Sequence, residues 1–319
     1  MDLEQLWDRM TFDASALQVS PRPYRVPYAL EAGSGDAFGI RLRKFGRYAN
    51  NLFSAANAIA LARTLRWRYV QLFDMDFLRP FETLEIDGVT LLHPGAPLPQ
   101  DVRFLSGPYF RRADFGAWIA HLDRRDILKI IGESVRPALQ IPMADVPDDE
   151  LVIHIRSGDV FKVRPHPNYA QPPLSFYTRV IEELRAAGEI NSVCLVFENT
   201  KNPCIAALCD YLQRTGMSYR TQSGTFAEDG AVIFGARRVV FGVGTFALGM
   251  AATSTRLRDV YAFRQKDLDA FPAHEQVWLV EAGDDYIPRG GWTGSPEQLA
   301  TMISYPVEKL QVTKLARAV

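Results

Sequence analysis

Apolar residues recur along this chain in two rhythms, and the second becomes regular after residue 150. Strand-like runs at 151–156, 192–198, 217–221, 238–242 and 258–263 alternate with stretches of helical spacing near 174–187, 203–214, 226–236 and 246–253. Strands that alternate with helices predict a doubly wound parallel sheet, because parallel neighbours need a crossover and a helix supplies it. Val152, Ile153 and Ile155 are β-branched, as a buried strand requires, so Arg156, Ser157, Gly158 and Asp159 fall where that strand ends.

The first 150 residues are less regular. Residues 1 to about 36, with Pro21, Pro23, Pro27, Gly33 and Gly35, read as an irregular leader. Phe38 to Arg43 alternates as a strand, Gly46 punctuates it, and Asn51 to Arg66 has helical spacing. Further strands are expected at Arg68 to Phe73 and Val89 to Leu92, and a helix over Asp126 to Leu139. A polar stretch from Pro142 to Glu150, with Asp145, Asp148 and Asp149, reads as a linker. A chain of 319 residues exceeds one core, so two domains are expected, 1–145 and 146–319.

Composition narrows the function classes. Lys plus Arg total 36 against 37 for Asp plus Glu, so no basic excess points to nucleic acid and an anionic ligand must be met by local residues. No run of about eighteen apolar residues exists, and Asp2 and Glu4 replace the basic start of an export signal. A cytoplasmic protein with at most peripheral membrane contact is expected. Cys194, Cys204 and Cys209 are odd in number and lack metal-like spacing, which suits reduced, structural thiols.

Candidate chemistry gathers at strand ends. Arg156 presents a planar, permanently charged fork beside a glycine turn, a shape suited to phosphate. Gly244, Thr245 and Phe246 follow a later strand and open a helix, where backbone N–H groups receive anions. Glu198 follows a third. In one parallel sheet these ends share an edge, so the segments converge although they are far apart in sequence. No Gly-x-Gly-x-x-Gly turn follows the first strand, which argues against a dinucleotide cofactor. Asp74-Met75-Asp76 fits a turn better than a metal handle, and the long connection from Ser157 to Pro173 reads as a functional loop. Arg289-Gly290-Gly291-Trp292 is either a sugar-touching turn or a loop tucked on the core.

The same residues carry a resemblance. His154-x-Arg156-x-Gly158-Asp159 resembles the His-x-Arg-Arg-Gly-Asp signature of GT-B fucosyltransferases, the group with α1,2-, α1,6- and protein O-fucosyltransferases. Gly46-Arg47-Tyr48-Ala49-Asn50-Asn51 is similar to that family's Gly-Arg-Leu-Gly-Asn-Gln, and the segment from Val240 to Ala252 resembles its serine-containing turn before a helix. Phe104 to Phe110 resembles a stretch of the α1,2 enzymes, where Tyr109 and Phe110 either line an acceptor cleft or are simply buried. Departures are plain: Gly244 and Ala247 replace serines, and Phe197-Glu198-Asn199-Thr200 stands where the family has Phe-Ser-Asp-Asp.

The resemblance implies an α/β, GT-B-like protein whose two Rossmann-like domains face across a cleft, the first on the acceptor side and the second holding a GDP-sugar. It implies inverting transfer of fucose from GDP-fucose to a glycan hydroxyl, α1,2-linked on galactose, with no cofactor and no metal. Arg156, Asp159 and Glu198 are the implied catalytic groups, although Asp159 either acts itself or only orients Arg156. Gly46, Arg47, Asn50, His154, Arg156, Gly158, Asp229, Gly244, Thr245 and Phe246 are the implied donor contacts. His154 reads more readily as a buried strand residue than as a catalytic one, and Asp229 either meets a guanine edge or caps a helix. A transferase for another nucleotide sugar and a catalytically silent GDP-sugar-binding protein fit the same residues.

Overall fold

A computed structural model describes residues 28–31, 37–111, 115–264 and 275–316. Most of the leader expected over 1–36 lies outside the described residues. The chain divides into two compact units, residues 1–140 and 141–319. Both are α/β, each built on a sheet with a parallel centre.

In the first unit β1 (Ala29–Leu30), β2 (Ala37–Leu42), β3 (Tyr69–Gln71), β4 (Thr83–Ile86), β5 (Val89–Leu92) and β6 (Val102–Gly107) lie in the order β1-β6-β2-β3-β5-β4. The four central strands are parallel, and β1 and β4 pair antiparallel at the edges. β2 is joined to β3 by α1 (Tyr48–Leu65), whose alanines let neighbours approach from nearly every side, so that even Asn51, Ser54 and Asn57 are buried. A helix enclosed in this way has no single apolar stripe. It stops at Arg66, which takes a left-handed backbone (φ 58°) and returns its N–H to the carbonyls of Ala62 and Arg63. α2 (Gly116–Ile119) and α3 (Arg124–Ile130) follow, the latter opened by a reciprocal cap between Asp123 and Asp126. The helix expected over 126–139 continues past α3 as a π segment (Ile131–Val135) and a 3-10 turn (Arg136–Ala138). Pro137, with no N–H to give, stands in that last turn.

The second unit contains β7 (Glu150–His154), α4 (Leu174–Ala186), β8 (Ser192–Val196), α5 (Pro203–Arg214), β9 (Ser218–Gln222), α6 (Phe226–Gly235), β10 (Arg238–Phe241), α7 (Thr245–Thr253), β11 (Asp259–Phe263), β12 (Gln276–Ala282), α8 (Pro296–Ser304) and β13 (Leu310–Ala316). The sheet order is β13-β12-β11-β10-β7-β8-β9, parallel throughout except for β13. Every strand and helix expected after residue 150 is present within a residue or two. β7 is buried on both faces, and its Leu151 and Ile153, with Ile155 just beyond its end, pack with Phe176, Val180 and Leu184 of α4 and Ile205, Leu208 and Leu212 of α5. Each such side chain contributes about 1.5–3 kcal/mol by leaving water.

Four arginines of this unit, Arg237, Arg238, Arg256 and Arg258, are used at the amino-terminal edge of the sheet. Arg238 meets Asp259 at 3.1 Å and Glu189 at 3.6 Å, Arg237 meets Glu275 at 2.9 Å, and Arg256 meets Asp148 at 2.7 Å. These pairs hold strand starts together. None of the three cysteines is paired, and burial pushes the thiols of Cys194 and Cys204 up to about 12, which leaves them unreactive. Among the described residues no helix is long and apolar enough to cross a membrane.

Candidate functional site

From β7 the chain crosses over to β8 and then β9 on one side, whereas β10 lies on the other side of β7. The strand order therefore reverses between β7 and β10, which pair with His154 opposite Phe241. Right-handed crossovers send the connections from such a pair to opposite faces, opening a space at their carboxyl ends. Arg156 leaves β7 into this space, and Gly244 leaves β10 into it.

The two meet there. A Cβ on Gly244 would stand 2.6 Å from Arg156 Nη1, so the guanidinium lies directly against the glycine that precedes α7. Arg156 Nη2 donates to Asp159 Oδ1 at 3.1 Å, and the Tyr169 ring covers the guanidinium with 4.6 Å from Cζ to its centroid. Among the described residues Nη1 and Nε donate no hydrogen bond, and the side chain keeps 20% of its surface open. Arg156 is thus clamped on two sides with donors unspent, unlike the paired arginines of the opposite edge. Asp159 orients it through that ion pair, while 45% of its own side-chain surface stays in solvent.

Two asparagines fix the turn below. Asn202 donates from Nδ2 to the Arg156 carbonyl at 2.9 Å and accepts from Cys204 N–H at 3.0 Å as the cap of α5. Asn199 Oδ1 accepts from Ser157 Oγ at 2.7 Å and from Gly158 N–H at 3.2 Å. The glycine turn beside Arg156 therefore offers no free donor at Gly158, whose N–H is spent on Asn199. What Gly158 provides is room: with φ 67°, a Cβ there would lie 2.0 Å from Glu198 Oε1. Glu198, exposed after β8, thereby lies against the same turn. Asn199 is visible in the sequence only as part of the 197–200 segment, and the Asn-Pro step at 202–203, a helix cap followed by proline, is the readable signal for Asn202.

Gly244 is the N-cap of α7, with φ 141° and ψ 164° and no side-chain cap, and Thr245 and Phe246 are the first helical residues. A nine-residue helix places its positive end here, beside Arg156. The His154 ring packs 4.7 Å from that of Phe246, and Phe226 follows at 6.1 Å. Burial first, and the Arg156 charge second, hold the His154 imidazole down to about 3, so it is neutral. A folded value below the ordinary 6.5 means that between these two values only the unfolded chain takes up the proton. The contribution to stability is complete above about pH 6.5 and is lost as pH falls towards 3. Discounted for its partial exposure, His154 should cost the wild type about 1 kcal/mol more than a His154→Gln variant between pH 7 and pH 5 in urea titrations. Coincident pH profiles would remove His154 from this balance.

Asp229 does not cap α6. Thr225 does, in a reciprocal pair with Glu228. Asp229 Oδ1 instead accepts from Gln222 Nε2 at 3.0 Å and Gly224 N–H at 2.8 Å, which leaves Oδ2 as the oxygen for further donors. A guanine edge offering two donors would find only that oxygen.

The other expected residues lie in the first unit, after β2. Gly46 turns the chain with φ 73°, and a Cβ there would meet Asn50 Nδ2 at 2.5 Å. Arg47 is the N-cap of α1 and is exposed, and Asn50 stands in its first turn. Asp74 and Asp76 are exposed on either side of buried Met75, and among the described residues no three His, Cys, Asp or Glu side chains are grouped to hold a metal. Tyr109 is fully buried and donates to the Leu105 carbonyl at 2.7 Å, so it is core. Trp292 is buried as well, donating from Nε1 to the Val160 carbonyl at 2.7 Å. The turn at 289–292 thus anchors the 157–173 connection.

No protein-family model matches the chain, and no curated protein matches it in sequence. Among solved structures it is similar to POFUT1 in complex with GDP-fucose, at 11% identity and a TM-score of 0.41 over 73% of this chain and 99% of that one. POFUT1 in complex with GDP has the same identity and TM-score over 72% of this chain and 99% of that one.

Proposed function

We propose that the chain is an inverting glycosyltransferase that binds a GDP-sugar at the β7/β10 switch point and passes the sugar to a glycan hydroxyl. The observation that carries this reading is the Arg156 guanidinium, clamped by Asp159 and Tyr169 and seated against Gly244 with two nitrogens unspent. That arrangement suits a diphosphate, since one oxygen reaches the guanidinium and another the head of α7. Neutral His154 with Phe246 and Phe226 gives an aromatic wall beside it for a purine. Fucose as the donor sugar, and α1,2 linkage to galactose, follow from the motif resemblance.

In the reaction the acceptor oxygen attacks the anomeric carbon opposite the leaving group, and the bond to the β-phosphate oxygen breaks. The negative charge that grows on that oxygen is met by Arg156 and the start of α7. The acceptor's proton goes to a carboxylate. Glu198, exposed beyond β8 and against the Gly158 turn, is the base in this reading, and Asp159 positions Arg156.

Incubation with GDP-fucose and lactose, with and without chelator, tests the proposal. Equal amounts of GDP and fucosylated lactose are expected. GDP binding without release or transfer would reduce the protein to a binder, and release only from a UDP-sugar would replace the donor.

A further inference from the structure

The first unit has a switch point of its own. β2 crosses over through α1 to β3 and then β5 on one side, and β6 lies on the other side of β2. The loops leaving β2 and β6 therefore flank the position where an open α/β sheet receives ligands. They are joined there, with Arg43 N–H donating to the Gly107 carbonyl at 2.8 Å. Each loop presents one phenylalanine, and the two rings stack with centroids 4.8 Å apart at 26°.

We propose that the Phe45–Phe110 pair is a platform for a pyranose ring of the acceptor glycan, an inference that rests on the glycosyltransferase reading above. Neither ring is in the core; both are half-buried. Their seats are built from below by buried amides. Asn51 Oδ1 accepts from the Phe45 N–H at 3.3 Å, and Asn57 Nδ2 donates to the Tyr109 carbonyl at 2.9 Å and the Phe110 carbonyl at 3.3 Å. Two asparagines buried in an alanine-rich helix would cost stability without these bonds. Tyr109, its hydroxyl fixed in the core, takes a left-handed backbone (φ 50°), and Phe110 comes directly after that turn. A non-glycine residue in this conformation is uncommon, and here it fixes the direction in which Phe110 leaves the core.

The chemistry around the rings is that of carbohydrate recognition. The C–H face of a pyranose stacks on an aromatic face, while its hydroxyls take hydrogen bonds from long polar side chains at the rim. Lys44 and Arg47 are exposed beside Phe45, Arg111 follows Phe110, and Arg43 Nε is steadied by Ser106 Oγ at 2.7 Å.

Saturation-transfer NMR with lactose, N-acetyllactosamine, methyl β-galactoside and methyl α-mannoside tests this, using the full chain and its Phe45→Leu and Phe110→Leu variants. Leucine keeps the apolar bulk and removes the ring face, so the fold survives. At least one sugar should show transfer, weakened about tenfold in affinity by either change. GDP affinity, measured on the same proteins, should not move. If no sugar binds, or the leucine variants bind it as the wild type does, the platform is wrong. Sugar binding by a chain that takes no GDP would instead leave the platform and remove the transferase.

Discussion

Replacing Arg156 with alanine should lower turnover on the order of a hundredfold or more, because it removes the charge that meets the departing diphosphate. The loss is larger than that of an ordinary phosphate contact for a structural reason. Tyr169 and Gly244 leave a thin slot for a planar group, and Asp159 holds one edge of it, so the guanidinium is set before the ligand arrives. Water admitted by the alanine has no such placement and would leave Asp159 without its partner. Arg156→Lys should not restore the rate: one ammonium cannot hold Asp159 and a phosphate oxygen on separate edges, and it does not lie flat under Tyr169. Steady-state GDP release reads both variants. Turnover within a few-fold of wild type for alanine would take Arg156 out of the mechanism.

Gly244→Ala should be nearly as harmful while leaving every charge in place. At φ 141° and ψ 164° the residue occupies a region that is essentially glycine's alone, so strain of about 1–3 kcal/mol is expected. The added methyl would also lie 2.6 Å from Arg156 Nη1 and push the guanidinium away from the head of α7. GDP affinity should fall about tenfold or more, as a charge-assisted hydrogen bond is lost. Gly188→Ala is the matching control. Gly188 has φ 70° with open space around its α-carbon, so alanine there should cost some thermal stability and leave GDP binding unchanged. Undiminished GDP binding by Gly244→Ala would mean that glycine serves only the backbone.

The second unit was legible because its central strands are buried on both faces and helices such as α4 and α5 on one. Apolar runs such as Leu151 to Ile153, followed by the apolar spacing of Phe176, Val180 and Leu184, leave little choice of element. β13 was missed for the opposite reason, whereas β12, with its apolar Val277–Val280 run, had a readable pattern. β13 is an antiparallel edge strand, and its Lys314 lays its amine over the Trp278 ring at 3.8 Å, so a charged residue stands where alternation demands an apolar one. In the first unit, α1 was legible as a helix although it is buried all round, and two-residue β1 was too short to see.

The candidate site was legible in its ends and not in its joints. Arg156, Glu198 and Gly244 follow strands, and strand ends can be read from a pattern. That Arg156 lies on Gly244, that Tyr169 returns from a long connection to cover it, and that Asn199 takes the Gly158 N–H are contacts between distant segments. Periodicity carries no record of these. Asn199 and Asn202 look like turn residues in sequence and become braces only when β7 and β8 stand side by side.

Calorimetric titration of GDP into the wild-type chain and into Arg156→Ala, both in chelator, tests the central claim most directly. One GDP should bind the wild type, with affinity at least tenfold weaker in the variant. Absence of GDP binding to the wild type, or equal affinity in both proteins, would contradict a diphosphate site between β7 and β10.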